Sequence, residues 1–236
     1  MVSLMRLDNY IVLGEEVDRL QLKVEGIIET IFKDCDYYIN QLRKSNAFKL
    51  LYRSSKDSSN FYKLKTSNLE TGRRPKDMGQ VMHNLLNDKI FNPVFGWNVR
   101  DGVFASSKIL PFYGEPYIFF PAGKFEYVWS PTVIDLYDDM FDKSKLDFLY
   151  YYAPEKEKVA YSIQDLTEEQ IETLIKNLQN MYQSDDFKMA VRSEHEISFK
   201  CDKYYIVNRF MTDDFEKYML DLIYHPESES KHDPFK

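Results

Sequence analysis

Two glutamates separated by one residue, Glu194 and Glu196, stand just before the apolar alternating run that begins at Ile197. If that run is a strand, residues i and i+2 project from one face, so both carboxylates would share a side of the strand end. Such a pair can divide labour. One acid contacts a sugar hydroxyl, the other takes a proton from an incoming nucleophile, and crowding raises at least one pKa toward the useful range. The plainer reading is a pair of solvated charges that keep an edge strand from pairing with other chains. Upstream, Arg53 stands near the end of an apolar run over 48–55, where a guanidinium can grip phosphate in bidentate fashion. Ser106 and Ser107 close a second run, 103–107, and a hydroxyl there can hold a carboxylate in one rotamer. A carboxylate under a sugar and a guanidinium on a diphosphate together stabilise a cationic, oxocarbenium-like transition state of glycosidic cleavage.

The elements that must carry these groups can be read in order. Val17, Leu20, Val24, Ile27, Ile31, Cys35, Tyr38 and Leu42 recur at helical spacing and predict a long amphipathic helix over 14–44. Its acids come early and its bases late, as the helix dipole favours. The spacing predicts a strand over 48–55 and a flexible polar loop over 56–72. A helix then starts near Arg73, Arg74 and Pro75, runs to about residue 91 on Met78, Val81, Met82, Leu85, Leu86 and Ile90, and stops at Asn92-Pro93. A turn or short strand pair occupies 96–102. Strands follow at 103–107, 117–120 and 125–129.

Ser130-Pro131 opens a short acidic helix with Asp135, Asp138 and Asp139. Residues 141–165 show no clear period. Thr167-Glu168-Glu169-Gln170 is a capping box that starts a helix burying Ile171, Leu174, Ile175, Leu178 and Tyr182. The double-glutamate strand comes next, then a partner strand at 203–207, a helix at about 212–223, and a frayed tail over 225–236. The whole reads as one α+β domain, 1–236, with a helical segment at 1–45.

Composition narrows the chemistry further. The chain has 236 residues, long enough for a substantial core, and Tyr and Phe number 18 and 17. Only 8 glycines occur, which argues against glycine-built phosphate loops. The net charge of -7 disfavours broad nucleic-acid binding and leaves a local basic groove as the less favoured alternative. Cys35 and Cys201 have no Cys or His at ligand spacing, so no metal site is expected. Acids fall too early for a secretory leader, and no run has the length of a membrane span. A cytoplasmic protein with no membrane contact is expected. Arg100 beside Asp101 suggests a local ion pair on a turn. His83 reads as a satisfied half-buried residue, Trp97 and Trp129 as core, and His195 as pointing away from the glutamates. Arg73, Arg74 and Lys76 read as a solvated helix start, with phosphate contact as the alternative.

The order Tyr52-Arg53-Ser54, Ala105-Ser106-Ser107-Lys108 and Glu194-His195-Glu196 resembles the Arg, Ser-Thr-Ser and Glu-x-Glu signature of the cholera-toxin-like mono-ADP-ribosyltransferases. The middle of the chain, about 48–140, is also similar to small proteins of tailed bacteriophages, a likeness that says little about chemistry. The first resemblance implies the mixed and antiparallel β core of that family, with NAD as substrate, a protein acceptor modified on arginine, and no metal. In a phage-encoded protein the acceptor would belong to the host, met in the host cytoplasm. It implies that Arg53 positions NAD, Ser106 braces Glu196, and Glu196 bonds the ribose 2'-hydroxyl. Glu194 would activate the acceptor. Ser107 would contact NAD, Tyr113 would stack on nicotinamide, and Phe187 would ride a loop that meets the target. The sequence departs from the pattern at Lys108, where a third hydroxyl is expected, and at Ser54, where glycine is frequent. The competing reading is a non-enzymatic phage interaction or inhibitor protein on the same fold.

Overall fold

The structure is a computed structural model, and it describes residues 19, 21–56, 62–73, 79–109, 114–136, 167–209 and 214–227. Two helical stretches come first: α1 over 21–34 and α2 over Asp36–Ser45, with a turn at Cys35 between them. The predicted stripe explains them. Val24, Ile27, Ile31, Cys35, Tyr38 and Leu42 are all buried, while Val17 and Leu20 lie outside the described residues. Asn46 ends α2 in the left-handed conformation, and its N–H reaches back to Leu42 and Arg43.

Seven strands follow among the described residues: β1 Tyr52–Ser55, β2 Tyr62–Thr66, β3 Val103–Ala105, β4 Glu115–Ala122, β5 Glu126–Trp129, β6 Ile197–Lys200 and β7 Lys203–Asn208. Every pairing is antiparallel. One sheet has the order β1-β4-β7-β2 and the other β3-β6-β5. Interleaved with the strands are α3 Gln80–Leu85, a π-helical stretch Leu86–Phe91, α4 Asn92–Phe95 and a 3-10 turn Val99–Asp101. Later come α5 Glu168–Met181, α6 Phe187–Ser193 and α7 Phe215–Tyr224. The architecture is α+β.

Two cores fill the space between these elements. The larger lies between the two sheets and under the first helices, and joins Val103, Ala105, Ile197 and Phe199 to Tyr117, Phe119 and Ile206. The smaller lies on the other side of the three-stranded sheet and gathers Leu86, Ile90, Phe91, Trp97, Val128, Leu174 and Leu178. Trp97 and Trp129 are both buried, as expected.

Several boundaries differ from the sequence reading. The 48–55 run becomes a strand only from Tyr52, because Phe48 takes a positive φ of 53° and breaks the extended run. The polar tract holds β2, whose Tyr62-to-Thr66 ladder on β7 supplies the order that its composition conceals. Asn92-Pro93 does not end the helical run, which continues to Phe95. Pro93 has no N–H for the Lys89 carbonyl four residues back, and the Gln179 amide donates to that carbonyl at 3.0 Å instead. Residues 131–135 are not helical, although Ser130 Oγ does accept from the Val133 N–H at 2.9 Å. Strand β7 is not the partner of β6. Both edges of β6 are taken by β3 and β5, so the chain turns at Asp202 and joins the other sheet. The capping box at Thr167 and Gln170 forms in full.

Phe187 is not on a loop. It starts α6 and is buried beside Tyr38 and Phe125, with ring centroids 6.2 and 5.9 Å away. Tyr38 is the centre of that aromatic cluster and also meets Phe119 and Phe120 edge-on. Its hydroxyl is buried without a hydrogen-bond partner among the described residues. An orphaned hydroxyl costs about 1 kcal/mol or more of desolvation. Tyr38→Phe should therefore raise unfolding stability in urea by about 1 kcal/mol. A comparable loss would show that the hydroxyl is bonded after all.

Candidate functional site

Strand β3 brings the three motifs together. At its end, Ser106 forms an isolated bridge with Tyr52, each N–H donating to the other's carbonyl at 2.7 and 3.0 Å. Arg53 is the next residue, and its Nη1 donates to the Phe104 carbonyl at 2.7 Å while its guanidinium lies 5.6 Å from the Tyr204 ring. Strand β6 pairs with β3 at Phe104↔Ser198 and Ala105↔Ile197, which carries the glutamate stretch alongside Ser106. Segments far apart in sequence thus meet within two residues of Phe104.

The glutamates do not share a face. Glu194 is the left-handed cap of α6, with φ 65°, and the strand begins only at Ile197. The reversal sends the Glu194 side chain outward to Lys49 at 2.9 Å. That contact holds the Glu194 carboxyl below the usual glutamate range, by the Lys49 hydrogen bond first and its charge second. Glu196 turns inward. Its N–H donates to the Ile134 carbonyl at 2.9 Å, and its Oε1 accepts from Arg100 Nη1 at 2.8 Å. The Arg100 side chain is 11% exposed and that of Glu196 26%. Burial pushes the Glu196 carboxyl up, Arg100 opposes the shift, and Asp135 adds to it. The two acids therefore separate in pKa through different neighbours and not through mutual crowding.

Ser106 supports the motif by another contact than the one expected. Its Oγ donates to the Glu194 carbonyl at 2.9 Å and accepts from the Lys108 N–H at 3.0 Å. It braces the backbone that leads to Glu196, not the carboxylate. The Ser107 hydroxyl is buried without a hydrogen-bond partner among the described residues. Tyr113 lies outside the described residues, as do Arg74, Lys76, Asp138 and Asp139. His195 Nδ1 donates to the Ser130 carbonyl at 2.8 Å.

Sequence reasoning missed Arg100. The expected Arg100–Asp101 pair does not form, since consecutive residues of a 3-10 turn project in different directions. Arg100 goes to Glu196, while Asp101 accepts from His83 Nε2 at 2.8 Å, from the Arg73 N–H at 2.9 Å and from Asn87 Nδ2 at 3.3 Å. The Asn87 Oδ1 in turn accepts the Arg100 N–H at 2.9 Å. His83 and Asp101 are both buried, so His83 is satisfied as expected but fully rather than half-buried. Arg73 and Arg100 each lie 4.6 Å from the Phe104 ring centroid, which places three guanidiniums, with Arg53, around one residue. Gly102 permits this packing. A Cβ there would collide with Ser198 Oγ and stand 2.9 Å from the Phe199 carbonyl. The only sequence signal was the Gly96-to-Gly102 turn itself.

Comparison of the chain with protein-family models, with curated proteins and with solved structures gave no match. Among the described residues, no three His, Cys, Asp or Glu side chains gather as a metal would require. No helix there is long and apolar enough to cross a membrane.

The pKa direction at Glu196 sets a pH test. A carboxyl raised above its ordinary value, 4.5, contributes stability that is fully present below that value. The contribution is lost as pH rises through the raised value. Glu196→Gln cannot ionise and escapes that loss. The stability of the variant relative to wild type should therefore grow as pH rises from about 4 toward neutrality. Urea unfolding across that range checks it. The opposite slope would mean that attraction to Arg100 outweighs the cost of burial.

Proposed function

We propose that this chain transfers ADP-ribose from NAD to a protein acceptor, through arginine, in the manner of the cholera-toxin-like mono-ADP-ribosyltransferases. The observation that carries the reading is the convergence of Arg53, Ser106 and the glutamate stretch on β3 and its flanks. The division into a four-stranded and a three-stranded antiparallel sheet supports the corresponding β core.

In this reading Arg53 keeps one N–H on the Phe104 carbonyl and offers its remaining donors to the NAD diphosphate. Arg100 occupies Oε1 of Glu196, which leaves Oε2 for the ribose 2'-hydroxyl. The bond between C1' and the nicotinamide nitrogen breaks, and its electron pair leaves with nicotinamide. Glu196 stabilises the oxocarbenium ion from beneath. An acceptor guanidinium nitrogen then bonds to C1', and its proton passes to Glu194. The Glu194 side chain is exposed and already holds a cation, Lys49, which an incoming arginine would displace. The buried Ser107 hydroxyl offers a further contact to the dinucleotide, and Tyr113 is proposed to stack on nicotinamide. The host cytoplasm is the proposed setting if the chain is phage-encoded.

The alternative is a non-enzymatic phage interaction or inhibitor protein. Its specific support is that Arg53, Ser106 and Glu196 all satisfy one another's neighbourhoods with protein partners, as purely structural groups do.

Nicotinamide release and transfer of labelled ADP-ribose to lysate proteins should be measured for wild type and Glu196→Gln. The substitution should lower both by about a hundredfold or more, the scale of losing a transition-state contact. Release that survives Glu196→Gln would remove that residue from the reaction. Absence of release, with and without lysate, would favour the binding protein.

A further inference from the structure

Arg100 is fixed from four sides. Its guanidinium bonds Glu196 at 2.8 Å and lies 4.6 Å from the centroid of the Phe104 ring. Its backbone N–H is held by Asn87 Oδ1 at 2.9 Å. The next residue, Asp101, is buried and anchored by His83, Asn87 and the Arg73 backbone. The Val99 carbonyl, on the other side, accepts from the buried Ser198 Oγ at 2.6 Å, which ties the turn to the strand that follows Glu196. A buried polar cluster, engaged throughout except at Arg100 Nε, which has no hydrogen-bond partner among the described residues, is a costly way to fold a three-residue turn, and it specifies one arrangement rather than adding net stability. Its one outward product is a guanidinium held against the Glu196 carboxylate.

We propose that Arg100 is a positioning residue for Glu196, and that the His83–Asp101–Asn87 cluster holds Arg100 to that task. In this reading Arg100 acts through Glu196 and is not assigned a contact with dinucleotide or acceptor. It fixes Oε1 so that Oε2 is aimed, and it supplies the positive charge that lets a half-buried carboxyl ionise. The other charged groups facing Glu196 are Asp135, from the segment after β5, and Arg73, from the loop after β2. Asp135 opposes ionisation, and Arg73 assists it less than Arg100 does. The link to catalysis rests on the transferase reading, whereas the link between Arg100 and Glu196 does not.

The test follows the Glu196 carboxyl carbon by NMR as pH is varied, in wild type, Arg100→Gln, Arg100→Lys and Asn87→Ala, with the signal assigned by its loss in Glu196→Gln. In Arg100→Gln the midpoint should move to higher pH. Arg100→Lys should restore most of it, and Asn87→Ala should move it the same way by less. In parallel, kcat for nicotinamide release by Arg100→Gln should fall about tenfold at pH 6 and recover as pH rises, which a merely structural defect would not produce. If Arg100→Gln fails to fold, the wild-type Arg100 guanidinium nitrogens should still titrate with the Glu196 midpoint. Glu196 titrating alike in wild type and Arg100→Gln, or guanidinium signals blind to it, would overturn the proposal. A wild-type protein that releases no nicotinamide would end the transferase reading and leave the titration to decide the role of Arg100.

Discussion

The ion pair between Arg100 and Glu196 is the constraint around which this site is organised. Neither charge is cheap where it stands, with side chains only 11% and 26% exposed. A buried charge persists only if it is paired and hydrogen-bonded, and removing one partner of such a pair costs several kcal/mol because the other is left uncompensated. The surrounding structure acts to keep the pair made. The Ile134 carbonyl holds the Glu196 backbone, Asn87 holds that of Arg100, and Phe104 lies between Arg100 and Arg73. Gly102 lets the turn lie against β6 closely enough for the contact to form.

This arrangement links fold to chemistry. Among the described residues, the two sheets exchange backbone hydrogen bonds directly at the bridge between Tyr52 and Ser106. Beside it the Arg53 guanidinium reaches across to the Phe104 carbonyl. Positive charge collects there in a chain whose net charge is -7. In the proposed reading, this collection would receive the anionic diphosphate, and the half-buried carboxyl beside it would face the developing cation. The different environments of Glu194 and Glu196 follow from backbone geometry. A left-handed residue at Glu194 turns one acid to the surface and the other inward, and two different basic residues then tune them.

Much of the frame was legible in the sequence. The helical stripe from Val24 to Leu42, the capping box at Thr167, and the strands around Phe119 and Val128 all report through local periodicity or local hydrogen bonding, although the single long helix expected over 14–44 is broken by a turn at Cys35. What was not legible depends on distant partners. Strand β2 is polar because it lies at a sheet edge, and only its ladder with β7 makes it a strand. The helix α6 is seven residues long, started by the Asp186 side chain, and places Phe187 in a core that no local pattern announces. Arg100 was assigned to its sequence neighbour because proximity along the chain is visible and proximity in space is not. The motif residues could be named from their types and order. Their actual contacts, Ser106 with a backbone carbonyl and Glu196 with Arg100, could not.

A double-mutant cycle measures the central contact without reference to any activity. Arg100→Met, Glu196→Met and the double variant would be compared by urea unfolding at neutral pH. If the two charges depend on one another as described, each single change should destabilise strongly, and the double variant should be more stable than the sum of the singles implies by about 1–3 kcal/mol. Additivity within about 0.5 kcal/mol would mean the two side chains do not interact, and the organisation of the site around them would be wrong.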